Sequence, residues 1–315
     1  KIVILDEPLA NLDTAGAEML MSTLKSLAKA GYCIIVIEHR LDVVLPFVDK
    51  VFHVGNRNVN EITDRENYLK EQSTEIEDTC STFSGTLPAF SLADVAFAVK
   101  ERDILNGVTF DILKGSRTVL LGENGCGKTT LLRLISRLEK PTRGVILQNI
   151  DDKFGQKSKQ SKKWYKKVGV VYQNPDYQLF MQTVEKEIKF GAKSDEYADE
   201  IAEKFGIKHL YARHPQSLSE GQKRRVSIAA VVATDPEVLI LDEPTVGQDY
   251  KGLCEMVEVL NKLHEEAHNT MITVTHDKRC AAALCDKSVW IKNGKTYKTG
   301  GKELVDEFFI QIGVN

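Results

Sequence analysis

The amino-acid sequence predicts an α/β protein built on a parallel β-sheet. Short, nearly continuous apolar runs recur along the 315 residues, and two of them end in paired carboxylates. Runs of this kind are typical of strands that are buried on both faces of a parallel sheet. Segments with apolar residues at helical spacing separate the runs. A glycine-rich stretch, residues 122–130, joins one run to one helical segment, which places a ligand site at the carboxyl end of a strand.

The glycine-rich stretch reads Gly-Glu-Asn-Gly-Cys-Gly-Lys-Thr-Thr and fits the phosphate-binding P-loop pattern. Glycines let the backbone N–H groups approach phosphate oxygens, and the following helix contributes a partial positive charge at its first turn. Lys128 supplies a full charge, and the Thr129 hydroxyl is suited to ligate Mg²⁺. The residues expected to contact a bound nucleotide here are Gly122, Asn124, Gly125, Gly127, Lys128, Thr129 and Thr130.

Composition limits the class of protein. The length predicts about two domains, and the apolar fraction of 42% is sufficient for packed cores. A net charge of −3 gives no overall attraction to nucleic acid or to an anionic membrane. No run approaches the 18 apolar residues of a membrane span. The six cysteines form no Cys-x-x-Cys pair, which favours a reducing, cytosolic setting.

The chain begins with an apolar run, residues 1–5, followed by Asp6 and Glu7. Residues 14–30 have helical periodicity, and Gly31 is expected to end that helix. A second buried strand is predicted for Tyr32–Ile37, before Glu38 and His39.

This strand–helix–strand block has a second copy. The string Ile-Leu-Asp-Glu-Pro occurs at residues 4–8 and again at residues 240–244. His39 follows Asp6 by 33 positions, and His276 follows Asp242 by 34. The chain therefore contains two related units, and the first shows only its last third. We expect residue 1 to lie inside a domain of a longer natural protein; the alternative is a degenerate first domain that serves as an appendage.

The two units are joined by a polar stretch. From Glu61 to Asp78 there are seven acidic and two basic residues, which is typical of a linker. The second unit is expected to begin near Pro88 with a strand pair, Phe90–Val99 and Val108–Ile112. A lysine-rich stretch at residues 151–167 predicts either a contact with lipid headgroups or an acidic partner, or a solvated surface loop.

Two further segments of the second unit carry functional residues. Val168–Tyr172 is a predicted strand, and Gln173 follows it directly. Residues 184–213 have a helical pattern, and the Leu-Ser-Glu-Gly-Gln string at 218–222 then starts another helix. Ser219 is a good N-cap, and this helix provides a second N-terminus that an anion could approach.

The order of these motifs resembles that of the ATP-binding cassette (ABC) ATPases. The resemblance covers Pro88 to about Gly300 in full and residues 1–58 in part. The stretch Tyr172–Phe180 looks like the form found in energy-coupling factor (ECF) transporters and cobalt-type importers, whose tandem versions carry two ABC domains on one chain. The resemblance implies a P-loop NTPase fold, with a RecA-like parallel sheet core, an antiparallel β subdomain and a helical signature subdomain.

The resemblance also implies domain limits and residue roles. Residues 1–59 would be the C-terminal part of a first ABC domain, 60–87 an acidic linker, and 88–315 a complete second ABC domain. Lys128 and Thr129 would bind ATP phosphates and Mg²⁺. Gln173 would sense the γ-phosphate, contact the metal and link to the membrane partner. Asp242 would hold Mg²⁺ through water.

The catalytic residues implied by the resemblance follow the second copy of the repeated string. Glu243 would polarise the attacking water, and His276 would contact the γ-phosphate. Ser219, Gly221 and Gln222 belong to the signature, which contacts ATP held by an opposing domain. The first unit retains the counterparts Asp6, Glu7 and His39.

Two positions depart from the family pattern. Glu220 occupies a signature position where the family usually has glycine, and Val99 stands where it usually has an aromatic residue against adenine. The P-loop and signature of the first unit are absent from the sequence. We therefore expect this chain to bind ATP at Lys128 but to form neither tandem site alone; pairing of two second domains from separate chains would restore catalysis.

The favoured function is a transport ATPase on the cytoplasmic face of the cell membrane. It would dock on transmembrane subunits through the stretch Gln173–Phe180 and would power uptake of a vitamin or metal ion. One alternative is a soluble tandem ABC ATPase that acts on ribosomes or nucleic acid, but the acidic linker and net negative charge disfavour a nucleic-acid partner. Another is a non-catalytic regulatory ABC module, which intact Lys128, Glu243 and His276 disfavour.

Overall fold

The computed structural model describes residues 1–9, 12, 14–55, 58–72, 76, 83, 85–100, 102–150 and 162–313. Most of residues 73–82, within the predicted linker, and the lysines at 153, 157 and 159 therefore lie outside the described residues. Residues 60–72, the first part of the predicted linker, are described, whereas most of the predicted basic contact loop is not.

The first unit forms a small parallel sheet with a helix on one face. Strand β1 (Ile2–Asp6) pairs with β2 (Cys33–Ile37), with Ile4 opposite Ile35. Helix α1 (Thr14–Lys29) connects them and ends before Gly31, whose φ of 89° is readily adopted by glycine. The apolar side of α1 packs on the sheet in a core cluster that includes Leu9, Ala17, Met21 and Leu24.

A helical turn and a hairpin follow in the first unit. The elements are α2 (Leu41–Val44), β3 (Phe52–Gly55), β4 (Asn58–Glu61) and α3 (Arg65–Gln72). Strands β3 and β4 are antiparallel. The Arg65 guanidinium donates to the carbonyls of Val48 and Asp49, so it ties α3 to the segment that precedes the hairpin.

The second unit opens with an antiparallel subdomain. Strands β5 (Pro88–Val99) and β6 (Arg102–Leu113) form a long hairpin. Strand β7 (Arg117–Leu121) then leads through the glycine-rich loop into helix α4 (Lys128–Ile135). Strand β8 (Arg143–Gln148) returns to pair with β5, which gives a three-stranded sheet of order β6-β5-β8. The predicted strand pair is present, and both strands are longer than expected.

The remaining elements complete a six-stranded sheet and the helices around it. They are α5 (Lys162–Lys167), β9 (Val168–Val171), α6 (Val184–Lys189), α7 (Asp195–Lys204), α8 (Glu220–Val232), β10 (Val238–Asp242), α9 (Tyr250–Ala267), β11 (Thr270–Val274), α10 (Lys278–Ala283), β12 (Lys287–Lys292), β13 (Lys295–Gly300) and α11 (Lys302–Gln311). The strand order is β13-β12-β7-β11-β10-β9, and β13 is the antiparallel strand at one edge.

The central strands are buried along their whole length because both faces of the sheet are covered. Along β10, Ile240 lies in the cluster with Leu131 and Ile135 of α4, whereas Leu241 lies in the cluster with residues of α8 and α9. Every residue of β7, β10 and β11 is buried. The continuous apolar runs thus reflect two-sided burial, as expected for a parallel sheet.

The predicted helical region 184–213 is divided rather than continuous. Helices α6 and α7 begin at the N-caps Thr183 and Ser194, whose hydroxyls accept backbone N–H groups. Short 3₁₀ turns at Lys208–Leu210 and Pro215–Ser217 then lead to α8. Within the described residues, none of the helices combines the length and apolarity that a membrane span requires.

Candidate functional site

The glycine-rich loop wraps around the start of α4. Gly122, Gly125 and Gly127 have φ angles of 151°, 78° and 106°. A Cβ atom on Gly122 would lie 2.5 Å from the Cys126 Sγ, and one on Gly127 would lie 2.5 Å from Leu105. Gly127 caps α4 without a side-chain hydrogen bond. The backbone N–H groups of the first turn are therefore available to an anion, as the sequence predicted.

Lys128 and Thr129 link the loop to the carboxyl end of β10. The buried Lys128 Nζ donates to the carbonyls of Gly122, at 2.6 Å, and Glu123, at 3.1 Å. The Thr129 hydroxyl is hydrogen bonded to the Asp242 carboxylate. Burial raises the pKa of Asp242, while Thr129, Lys128 and Arg224 act in the opposite direction. The four groups form one electrostatic cluster.

Glu243 follows β10 in a left-handed backbone conformation, with a φ of 54°. Its N–H donates to the Val274 carbonyl at 2.8 Å, which extends the β10–β11 pairing by one residue. Its Oε2 accepts the His276 backbone N–H at 3.2 Å, and the His276 Nε2 lies 3.5 Å from its Oε1. Burial, reinforced by the adjacent Asp242, raises the pKa of the Glu243 carboxyl to about 8.

A cleft of about 320 Å³ brings these groups together. Its walls combine the glycine-rich loop with the ends of three neighbouring strands. The predicted site residues that line it are Asn124, Gly125, Gly127, Lys128, Thr129, Thr130, Gln173, Asp242, Glu243 and His276. Arg102, Asp103 and Ile104 at the start of β6 also line it, and the sequence analysis did not single them out. An opening beside strand ends is the usual ligand position in open α/β sheets.

The signature residues lie outside this cleft. Ser219 caps α8, and the Ser219 and Gln222 side chains form a reciprocal capping box. A Cβ on Gly221 would lie 2.8 Å from the Gly247 carbonyl, and Gln248 Nε2 donates to the Gly221 carbonyl at 2.8 Å. Close packing against residues 247–248 therefore accounts for the glycine at 221.

The loop that carries Gln173 has three side-chain supports that the sequence analysis did not identify. Gln178 Oε1 accepts the Tyr172 N–H and its Nε2 donates to the Val170 carbonyl, both at 2.9 Å. The Arg224 guanidinium donates to the carbonyls of Tyr172 and Gln173. Lys223 forms a 3.0 Å ion pair with Asp176. Arg224 lies within a run of three basic residues at 223–225, so composition alone could not distinguish it.

In the first unit, Glu7 and His39 lie in the same arrangement as Glu243 and His276 of the second unit. His39 Nε2 lies 3.5 Å from Glu7 Oε1, and burial raises the pKa of Glu7. Asp6 is exposed. Glu7 and Glu220 of the signature both line a larger cleft of about 1160 Å³, which reaches Gly125, Thr129 and Asp242. The structure thus brings the first unit against the signature side of the second.

Within the described part of the chain, no group of three or more His, Cys, Asp or Glu residues could hold a metal ion by itself. A P-loop beside a buried Asp–Glu pair, on the strand ends of a parallel sheet, defines a protein that binds nucleoside phosphates.

Comparisons with known proteins give the family. The sequence profile of the ABC transporter family matches residues 105–246. The chain is 40% identical to the energy-coupling factor transporter ATP-binding protein EcfA2 of Enterococcus faecalis, over 65% of this chain and 74% of that protein. It is 30% identical to the putative HMP/thiamine import ATP-binding protein YkoD of Bacillus subtilis, over 91% of this chain. The chain belongs to the ABC transporter family.

The fold predicted from the resemblance is also confirmed. The structure of cbiO1 from Clostridium perfringens, described as part of the ABC transporter complex cbiONQ, superposes with a TM-score of 0.62 at 32% identity. The match covers 70% of this chain and 92% of that chain. The chain spans 59% of the length of YkoD.

Proposed function

We propose that this chain is the ATP-binding and ATP-hydrolysing subunit of an energy-coupling factor or cobalt-type importer that takes up a vitamin or metal ion. In this proposal residues 1–59 belong to a first ABC domain, 60–87 form a linker, and 88–315 form the second ABC domain. The similarity to EcfA2, to the HMP/thiamine import protein and to cbiO1 supports this class of transporter.

The observation that carries the proposal is the convergence of charge in one cleft. Lys128, Asp242 and Glu243 line the same 320 Å³ space, although Lys128 lies more than one hundred residues before the Asp–Glu pair in sequence. Phosphoryl transfer requires a cation at the phosphates, a metal position and an oriented water. The cleft offers a separate side chain for each of these tasks.

The chemistry assigned to each side chain follows from its position. Lys128 and the N–H groups of the first turn of α4 bind the phosphates of ATP. Glu243 accepts a hydrogen bond from the attacking water and orients it, and His276 donates to the phosphate that is transferred. A cation near Asp242 favours the ionised form of Glu243 and so opposes the effect of burial on its pKa.

The donor set fits Mg²⁺. The Thr129 hydroxyl, the Asp242 carboxylate and the Gln173 amide oxygen are hard ligands, which Mg²⁺ prefers, and they face the same cleft. Few protein ligands are available, which suits an ion that completes its shell with water and phosphate oxygens. When bound, Mg²⁺ supplies neutralisation of charge on the phosphate oxygens.

The membrane partner is proposed to dock beside the Gln173 loop, at the cytoplasmic face of the membrane. Tyr177 is 80% exposed, and Phe180 and Phe190 are exposed and form an edge-to-face pair with centroids 5.4 Å apart. Exposed aromatic side chains that lie together are typical of interaction surfaces.

A second ABC domain, from the tandem or from another chain, is the proposed partner for Ser219 and Gly221. The placement of Glu7 and Glu220 at one cleft supports that arrangement.

The first experiment measures ATP binding and turnover by the chain at increasing concentration, beside a Lys128→Ala variant. Loss of the buried cation should weaken ATP binding about 10- to 100-fold, since hydrogen bonds to charged groups contribute about 1.5–3 kcal/mol. Lys140→Ala, which removes an exposed lysine from the segment after α4, is the matched control and should bind normally. Turnover that rises faster than linearly with concentration supports pairing between chains. Absence of ATP binding by the unaltered chain would contradict the proposed function.

A further inference from the structure

Arg224 is a buried cation that the proposed function does not use. It lies in the first part of α8, five residues after the Ser219 cap, and is 2% exposed. Its Nη1 donates to the Tyr172 carbonyl at 2.7 Å, and its Nη2 donates to the Gln173 carbonyl. Among the described residues, no carboxylate lies within ion-pair distance of Arg224. The buried guanidinium is thus committed to two adjacent backbone carbonyls.

The residue type matches this task. Arginine presents several N–H donors in one rigid plane and can bond two neighbouring acceptors at once, whereas lysine is a point charge on a flexible stem. No carboxylate lies within ion-pair distance of this buried cation in the described residues, and the more distant charges of Glu243, Asp242 and Glu220 offset the cost of its burial. A lysine would supply the same charge, so charge alone does not explain an arginine that bonds two adjacent carbonyls.

The other supports of the same loop hold its flanks. Gln178 bonds the end of β9 on one side, and Lys223 holds Asp176 on the other. Arg224 is the side chain that bonds the backbone of Gln173 itself. It comes from the helix that begins at the signature, so this contact joins two of the predicted site segments.

Gln173 and Arg224 differ in what they line. Both residues line the larger cleft of about 1160 Å³, but Gln173 also lines the 320 Å³ cleft with Lys128 and Glu243, whereas Arg224 does not. A change at Arg224 can therefore reach the phosphate end of the site through the backbone that carries Gln173. The charge of Arg224 also acts on Asp242 and Glu243, and the change Arg224→Lys keeps that charge while removing the two-acceptor geometry.

We propose that Arg224 is a positioning residue that fixes where the Gln173 side chain enters the nucleotide cleft. This inference rests on the proposed function, because the proposed function assigns the Gln173 amide oxygen a contact to the Mg²⁺ ion that accompanies ATP. The signature helix then sets the position of Gln173 directly through one guanidinium.

The test is a double-mutant cycle of Arg224→Lys and Gln173→Ala in the full chain. The readout is the affinity gain that Mg²⁺ gives to a fluorescent ATP analogue, measured as the ratio of its Kd in EDTA to its Kd with Mg²⁺. Each single variant should reduce this ratio about 10-fold, the size found when groups that orient a metal ligand are removed. The double variant should lose no more than either single variant, because both act through the same side chain.

Hydrogen exchange provides a readout that needs no metal. The backbone amides of residues 172–176 should exchange faster in the Arg224→Lys variant than in the unaltered chain. A second variant, Arg224→Gln, should show the same change. It provides an independent result if the first variant does not fold. Arg225→Lys is the matched control on the next residue of α8, where the guanidinium bonds Glu255 at 2.7 Å. It should leave both the Mg²⁺ ratio and the exchange of 172–176 unchanged.

Losses that add in the double variant would overturn the inference, since Arg224 would then act independently of Gln173. An Mg²⁺ ratio that Arg224→Lys leaves unchanged, in a folded protein, would also overturn it. Failure of the unaltered chain to bind the ATP analogue would instead overturn the proposed function. The two failures are distinguishable in the same titration.

Discussion

The repeated strand–helix–strand block forms the same local geometry twice. Glu7 and Glu243 both have positive φ, 45° and 54°, and both N–H groups donate to the carbonyl that ends the next strand, at 2.9 and 2.8 Å. In both copies a histidine Nε2 lies 3.5 Å from the glutamate Oε1. The shared string and the histidine that follows it are therefore sufficient to set the arrangement of the carboxylate and the imidazole.

The two copies differ in what covers them. In both, a helix packs on one face of the strands: α1 on β1 and β2, and α9 on β10 and β11. The opposite face of β10 and β11 is covered by α4. In the first unit the matching side chains are solvent-exposed, with Ile2 at 71% and Ile4 at 65%.

This difference in burial shows that the position of the glutamate carboxyl and its pKa have separate origins. Burial raises the pKa of Glu243 to about 8, and Asp242 adds to the shift. Burial also raises the pKa of Glu7, but this carboxyl is partly exposed and its neighbour Asp6 lies at the surface. The string specifies where the carboxylate lies, and the surrounding elements determine how readily it ionises.

The largest expected difference between the copies is in ATP turnover. Glu243→Gln should reduce turnover about 100-fold or more, because a positioned base contributes roughly 10²–10⁴ to rate. Glu7→Gln, the matched change in the first unit, should alter turnover by less than about threefold, since Glu7 does not line the 320 Å³ cleft that holds Lys128 and Glu243. Steady-state phosphate release measures both. Equal losses in the two variants would contradict the assignment of Glu243 as the catalytic copy.

A smaller difference is expected in stability. Ile240→Ala removes a fully buried side chain from a strand whose sheet is covered on both faces. The change should lower the free energy of unfolding by about 2–5 kcal/mol. Ile4→Ala, at the equivalent position of the exposed face, should cost about 0.5 kcal/mol. Urea unfolding followed by circular dichroism compares the two. Similar midpoint shifts would mean that the exposed face is covered in solution.

A further difference is expected in the pH dependence of stability. The folded pKa of Glu243 is raised from 4.5 to about 8, so folding holds its proton and stabilises the protein below about pH 4.5. That contribution is lost as the pH rises through about 8, at no more than about 1.4 kcal/mol per pH unit. Glu243→Gln does not titrate and should therefore gain stability relative to the unaltered chain as the pH rises.

Glu7→Gln is the comparison variant for this pH effect. The pKa of Glu7 is also raised, so its dependence has the same sign, but the exposed position should make it weaker. Urea titrations at several pH values between roughly 5 and 8 measure both variants. A slope for Glu7→Gln as steep as that for Glu243→Gln would contradict the role of burial.

Much of the second unit could be predicted from the sequence. The apolar runs before Gly122 and Asp242 identified β7 and β10, because strands buried on both faces need no polar alternation. The P-loop and the capping residue Ser219 identified the starts of α4 and α8. The ABC fold and the ECF-type relatives agree with the resemblance.

Contacts between distant segments could not be predicted. Arg224 bonds carbonyls about fifty residues away, and nothing in its neighbouring sequence encodes that pairing. The capping box of Ser219 and Gln222 follows a local Ser-x-x-Gln pattern, whereas the close contact of Gly221 with residues 247–248 depends on tertiary packing. The unequal burial of the two copies likewise depends on neighbours rather than on the shared string.

The packing of Cys126 has a consequence for redox chemistry. Its thiol lies against the α-carbon of Gly122, where even a methyl group would clash, and burial raises the pKa of the thiol. A protonated, enclosed sulfur reacts slowly with oxidants and alkylating agents, since the thiolate is the reactive form. Among the described cysteines, Cys33 is the exposed one and would be oxidised or labelled first. Among the described cysteines, oxidation is therefore expected at Cys33 of β2 before it reaches the sulfur of the phosphate loop.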